Sequence, residues 1–288
     1  MNKSLKINLL ALLALTLSFS ACKKEYESIQ SVDDRAIQTY LAGNNQNFTK
    51  DSTGYYYNII DQGTGADLQN SDSVFYSYTF KLLNGTVLNQ TSDLAIPGTY
   101  LGYTDRFAIG NRPFVFTPIR EVLSKLKRGG KATLIIPSNL AFGNNGFSAI
   151  NVGSNENILV DLGLYPQSKR NEIDELEINT FETNNSLALT KDPSRARYTI
   201  LSPGTGTAAI SLNSTIVVNY TARSLDGTVV DDSTDGTFTA VLSTLFKGWQ
   251  LILPGKVTAG GKLRLVLPSD LAGGQSPLDF DIEIVSVK

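Results

Sequence analysis

Histidine is absent from all 288 residues, and the chain has one cysteine, one methionine and one tryptophan. Without an imidazole, Ser-His-Asp and Cys-His nucleophilic chemistry and HExxH zinc sites are excluded. The single thiol is Cys22, so the rest of the chain has neither disulfides nor a cysteine-based metal site. Charge of either sign is also scarce: 25 Lys and Arg stand against 27 Asp and Glu, a net charge of −2. The basic residues are scattered, which argues against nucleic acid as a partner. No metal and no cofactor are expected.

Charge is missing again between Ile7 and Phe19, an apolar or small-polar stretch preceded by Lys3 and Lys6. At about 13 residues it is too short to span a bilayer comfortably. Ser20-Ala21-Cys22 follows. This run resembles a bacterial lipoprotein signal peptide, with Phe19 where that pattern usually has Leu. The resemblance implies removal of 1–21, lipidation of Cys22, and a chain held to a membrane in the cell envelope, most simply the outer membrane. Residues 23–30 read as a polar tether, and the remaining length suffices for two domains.

The chain contains one unit twice. Ile37-Gln-Thr-Tyr40 recurs as Ile178-Asn-Thr-Phe181, 141 positions on, and Tyr57-Asn-Ile-Ile60 recurs as Tyr198-Thr-Ile-Leu201 at the same spacing. Asn84-Gly85-Thr86-Val87 matches Asp226-Gly227-Thr228-Val229 at 142. Gly130-Lys131 and Pro137-Ser138 match Gly261-Lys262 and Pro268-Ser269 at 131, and the last strands match at 120. The second copy has therefore lost about 11 residues in each of two loops.

Each unit reads as a short helix followed by an α+β domain. In the first helix Ser31 suits the N-cap, Asp33 and Asp34 the first turn, and Gly43 the stop. Glu172 to Phe181 repeats the pattern. Strand signals fall at 74–83, 131–136 and 158–164, then at 215–222, 262–267 and 280–287. Asn84-Gly85 and Asp226-Gly227 are hairpin signals. One helical stretch is expected per domain: Thr117 as cap, Pro118 at the first position and 119–127 after it, and a second stretch from Lys247 that stops at Pro254-Gly255. The expected segments are 1–21, 22–52, a first domain over 53–167, a linker helix over 168–193, and a shortened second domain over 194–288.

The second copy carries Asn219-Tyr220-Thr221, Asp226-Gly227, Val230-Asp231-Asp232-Ser233, Gly248-Trp249, Gly260-Gly261-Lys262, Pro268-Ser-Asp-Leu-Ala272 and Phe280-Asp-Ile-Glu283. The first carries Tyr78, Asn84-Gly85, Gly129-Gly130-Lys131 and Ile136-Pro-Ser-Asn-Leu-Ala-Phe-Gly143. Both resemble the FKBP-type peptidyl-prolyl cis-trans isomerases, whose usual run is hYTG…DG…FDSS…GW…GGK…IPxxLAYG…FxVEL. The resemblance implies two tandem FKBP-like domains of the α+β class. Each would be a bent, mostly antiparallel sheet wrapped on a short helix and preceded by a linker helix.

The resemblance also implies a proline pocket in each copy. In the second it falls on Tyr220, Val230, Asp231, Phe238, Leu245, Phe246, Trp249 and Phe280, with Trp249 as floor. Gly273 stands where the pattern has a tyrosine, and the loop after it is nearly gone. In the first copy the pocket falls on Tyr78, Leu88, Asn89, Phe107, Val115, Phe116, Ile119, Phe142 and Val160. There Asn89 replaces Asp, Leu88 replaces Phe and Ile119 replaces Trp, while the late loop is full length. That loop makes the first copy the one whose pocket can close, and so the copy expected to be the active one. Two functions remain open. One is a prolyl isomerase and folding helper for exported, proline-containing polypeptides, with activity reduced by both sets of departures. The other is an inactive FKBP-fold lipoprotein that binds a protein partner or client.

Other motifs carry less. Asp231-Asp-Ser-Thr-Asp-Gly236 opens like an EF-hand loop but has Leu242 at its twelfth position, so it reads as a polar turn. Gly63-Thr-Gly65 and Gly204-Thr-Gly206 open no helix and do not suggest a dinucleotide site. Lys125 to Arg128 reads as a solvated helix end.

Overall fold

The computed structural model describes residues 27–110, 112–274 and 276–288; the signal-like run and Cys22 lie outside them. The chain divides into a unit ending at Gln46 and a unit from Asn47 to Lys288. The described part of the first unit is helix α1, Ile29–Gly43, which buries Asp33, Ile37 and Leu41 along one stripe. Its N-cap is Ser28, not Ser31. The extended Ser28 backbone lets its hydroxyl accept the Ser31 N–H at 3.3 Å, which leaves Asp33 and Asp34 beyond the first turn. The helix stops where Asn45 turns left-handed (φ 50°).

The second unit is built on two antiparallel sheets of one topology. The first has the order β1 (Thr49–Lys50), β2 (Tyr56–Asp61), β8 (Lys131–Ile136), β9 (Ile158–Leu164), β3 (Ser73–Leu82) and β4 (Val87–Gln90), with β5 (Gly98–Tyr100) also on β3. The second repeats it as β10 (Thr190–Lys191), β11 (Arg197–Ser202), β15 (Lys262–Leu267), β16 (Leu278–Val287), β12 (Thr215–Ser224) and β13 (Val229–Ser233), with β14 (Thr239–Val241) on β12. Even the bulges recur: β2 shifts register between Ile59 and Asp61, β11 between Ile200 and Ser202. A hairpin of β6 (Arg106–Ile109) and β7 (Arg112–Val115) accompanies the first sheet. The Asn84-Gly85 and Asp226-Gly227 turns form because Gly85 and Gly227 take φ of 88° and 91°, which a side chain would resist.

Each sheet wraps a short helix. Helix α2 is Thr117–Leu123, capped by Phe116 rather than Thr117 and shorter than the expected reach to Lys127. Its last turn tightens instead, with Lys125 N–H on Val122 O and Leu126 N–H on Leu123 O. Ile119, Val122 and Leu123 of α2 sit in the first core among Phe80, Leu134 and Val160. Helix α4, Lys247–Ile252, gives Trp249 and Ile252 to the second core beside Ala222, Leu265 and Phe280.

Between the copies runs helix α3, Arg170–Asn184, longer at both ends than the hydrophobic pattern suggests. Glu172 starts it by accepting the Ser168 and Lys169 N–H groups at 3.1 and 3.3 Å, and Ser186 in the left-handed region follows its end. Ile173 packs with Phe75 and Ile96 of the first copy, and Phe181 with Leu225 and Val266 of the second. Polar groups reinforce both contacts. The Glu177 carboxylate accepts the Ile96 N–H at 2.6 Å, and Arg170 donates to Ile96 O at 3.1 Å. Arg197 of β11 donates to Glu175, Asn179 and Glu182 on α3.

Candidate functional site

In the second copy, alternation along β12 puts Tyr220 and Ala222 on the inner face. Trp249, on α4, makes edge contacts with Tyr220 and Phe280, both at 5.5 Å between ring centres. Phe238 joins at 5.2 Å from Tyr220, and Phe246 lies 5.5 Å from Phe280. The Tyr220 hydroxyl donates to Asp231 at 2.7 Å. Burial first, then this bond, pushes the phenol up to about 12. The Trp249 indole N–H is buried with no partner. Trp249 and Phe280 are buried, but Phe246 is 38 % exposed. A Cβ on Gly273 would stand 3.3 Å from the Phe246 ring, so Phe246 leans into the space a side chain at 273 would need. A cleft of about 400 Å³ opens beside it, lined by Leu245, Phe246, Lys247, Asp270, Leu271 and Gly273 among others.

The structure thus gathers Tyr220, Asp231, Phe238, Phe246, Trp249 and Phe280, with Leu245 half-buried at the margin. It does not bring Val230 in. Asp231 pairs with Ala222 and Val229 with Arg223, so Val230 is the extra residue of a bulge and is 52 % exposed.

In the first copy the rings form a continuous chain. Tyr78 meets Phe107 at 5.1 Å, Phe107 meets Phe116 at 5.5 Å, and Phe116 meets Phe142 at 5.3 Å. Ile119 and Val160 are fully buried in the same core, and Leu88 packs at its edge. Val115 does not belong: Phe114 and Phe116 face inward on either side of it, and it is left 64 % exposed. Asn89 lacks the hydrogen bond that its counterpart Asp231 makes, its buried carbonyl oxygen having no partner. A cleft of about 600 Å³ is lined by Arg106, Phe107, Pro113, Phe114, Val115 and Arg120 among others, but not by Tyr78, Ile119, Phe142 or Val160.

Three members of this cluster escaped the sequence reading. Phe80 touches Tyr78, Phe107 and Phe116 at 5.0, 5.3 and 5.5 Å. Phe114 and Phe147 sit 4.9 Å apart against Phe142. Spacing by two from Tyr78 and from Phe116 was the available signal for Phe80 and Phe114.

Two segments of the chain, 65–162 and 206–285, match the family model described as FKBP-type peptidyl-prolyl cis-trans isomerase. The chain belongs to this family. Each segment covers most of one sheet, from β3 to β9 and from β12 to β16, so the FKBP fold occurs twice in tandem. Among relatives, the macrophage infectivity potentiator of Trypanosoma cruzi is 34 % identical over 112 residues, covering 34 % of this chain and 56 % of that protein. The outer membrane protein MIP of Legionella longbeachae is 30 % identical over 117 residues, covering 41 % of this chain and 46 % of that protein. The chain thus spans about half the length of these relatives. The crystal structure of the three FKBP domains of wheat FKBP73 aligns with 82 % of this chain and 96 % of its own, at 17 % identity and a TM-score of 0.32.

Proposed function

We propose that this chain is a prolyl cis-trans isomerase of exported, proline-containing polypeptides, tethered to a membrane of the cell envelope through lipid on Cys22, and that its second FKBP copy is the working one. The observation that carries the assignment is the Tyr220–Asp231 pair beside a ring cluster floored by Trp249. Isomerisation must cross a barrier of about 18–20 kcal/mol, because amide resonance is lost at the twisted midpoint. A dry aromatic pocket holds the proline ring and favours the less polar twisted amide. Asp231 faces the peptide beside that pocket, and its bond to Tyr220 fixes its position. Phe246, partly exposed and ahead of α4, is the ring that must swing aside to admit proline.

Exchange spectroscopy on a proline peptide tests this directly. Catalytic acceleration by the full chain, lost with Trp249→Leu in protein that still folds, is the expected result. No acceleration by folded wild type would reject it. Gly273 favours a second reading: with no side chain there one wall of the pocket is open, which suits capture of a client without turnover. In that case the peptide would bind and exchange would be unchanged. Mass spectrometry of membrane-purified protein tests the tether, and an unmodified Cys22 would remove it.

A further inference from the structure

The two copies solve one packing problem in opposite ways. On β3 the inner-face sequence is Tyr78-x-Phe80, and Phe80 lies in register with Val160. On β12 it is Tyr220-x-Ala222, and Ala222 lies in register with Phe280. The third residue of the central helix completes the exchange, Ile119 in α2 against Trp249 in α4. Large and small residues have traded places at three positions of one core. In the second copy the bulk comes from the floor and from β16, and the position two after the tyrosine is only a methyl group. In the first copy the corresponding residues shrink to Ile119 and Val160, and the Phe80 ring packs in the same core. That ring is in contact with Tyr78, Phe107 and Phe116, three side chains that would otherwise line the pocket.

We infer that Phe80 is a built-in occupant of the first pocket, so that the first copy is sealed against a proline ring and only the second takes substrate. This rests on the reading of these clusters as proline pockets. Phe80 has no exposed surface, and Phe116, Ile119 and Val160 have essentially none. Phe80 fills the space beside Tyr78, Phe107 and Phe116, so a proline ring seated among those three side chains would compete with it for that space. The ring is carried by a strand paired on both sides, Phe80 with Val160 on β9 and with Asn89 on β4. Moving it means breaking the ladder or forcing an interior that is close-packed. At the position of Phe80 the second copy carries only the Ala222 methyl, and its Phe246 ring precedes a helix and is already 38 % exposed. A sealed pocket also accounts for Asn89. With no peptide to hold, that position need not keep the carboxylate that Asp231 retains.

The test uses the full chain, labelled at isoleucine methyls and the indole of Trp249, titrated with an Ala-Leu-Pro-Phe peptide. Trp249 is the only tryptophan and reports on the second copy alone, while Ile119 reports on the first. In wild type the indole resonance should shift to saturation with a stoichiometry of one while the Ile119 methyl stays still. Phe80→Ala should make the Ile119 methyl shift and raise the stoichiometry to two. Should that variant fail to fold, Phe80→Ala with Val160→Phe copies the second-copy pair, keeps the core volume closer to native, and should move the same methyl. A saturable Ile119 shift in wild type would overturn the inference, as would a still Ile119 methyl in a folded variant. If the indole stays silent in wild type, the proposed function of the second copy fails separately, and the variant's Ile119 methyl still decides whether Phe80 is the seal.

Discussion

Asp174 holds Ser269 twice, its carboxylate accepting the backbone N–H at 2.9 Å and the hydroxyl at 2.7 Å. Ser269 opens the Pro-Ser-x-Leu-Ala turn of the second copy, and Asp174 sits on α3, 95 residues earlier. In the first copy the equivalent N–H, that of Ser138, goes to Asn157 at 3.1 Å, a residue from the loop that the second copy has shortened. Asp174→Ala strands two buried donors of Ser269 and removes one of the partners of Arg170, which keeps Glu177 and Ile96 O, so it should cost about 1–3 kcal/mol per group left unsatisfied. Asp174→Asn keeps one acceptor and should cost less. Denaturant unfolding of both variants checks the order.

Glu177 gives a pH signature. Its carboxyl is held above the ordinary range chiefly by burial, with Asp174 adding to the effect and the Ile96 N–H and Arg170 opposing it. Below the ordinary value near 4.5 both folded and unfolded states hold the proton. As pH rises past it the unfolded chain releases the proton first, so this group's contribution to stability is full in acid and is lost as pH climbs through the native value. The stability of wild type relative to Glu177→Gln should therefore decline from acid toward neutral pH. Unfolding curves between about pH 4 and 8 would show it, and a rising difference would refute it.

Tyr220 titrates at the opposite end of the scale. With the phenol raised to about 12, its stabilisation is complete below the unfolded value near 10 and disappears as pH climbs toward 12. Tyr220→Phe should remove one late-titrating tyrosine from an ultraviolet pH titration. The lost hydrogen bond, at about 0.5–1.5 kcal/mol, should lower isomerase activity about two- to tenfold.

Size exchange at the paired strand positions predicts unequal stability effects. Phe80→Ala removes a fully buried ring and should cost about 3–5 kcal/mol. Ala222→Phe adds a ring to a space already filled by Trp249 and Phe280 and should cost about 1–3 kcal/mol or more. Adding Val160→Phe to the first should recover part of its loss. Chemical denaturation of the three variants measures this, and strict additivity would mean that residues 80 and 160 do not share one space.

Much of this architecture was legible in the sequence. The repeat gave two copies of one fold, and β8, β9 and β15 begin and end where the apolar runs do. The short strands β1 and β10 were not legible, being two residues each, nor were the edge strands β4 and β13, whose exposed faces carry little apolar pattern. Pocket membership was legible where a side chain follows the strand alternation, as for Tyr220 and Phe116. It failed at Val230 and Val115, where a bulge and a hairpin face turn the side chain outward. Phe80 was missed because its meaning depends on its partner across the strand, and pairing between β3 and β9 spans 80 residues.

Helix α3 belongs to neither sheet and completes both. Its carboxylates take the buried N–H groups of Ile96 and Ser269, and its apolar side chains fill gaps against each copy. Neither copy can unfold without exposing that helix, and a helix of this length has little stability by itself. Loss of one copy therefore removes support from the other. Two repeats that descend from one folding unit should melt as a single cooperative transition, so damage to the sealed copy reaches the open one through stability alone.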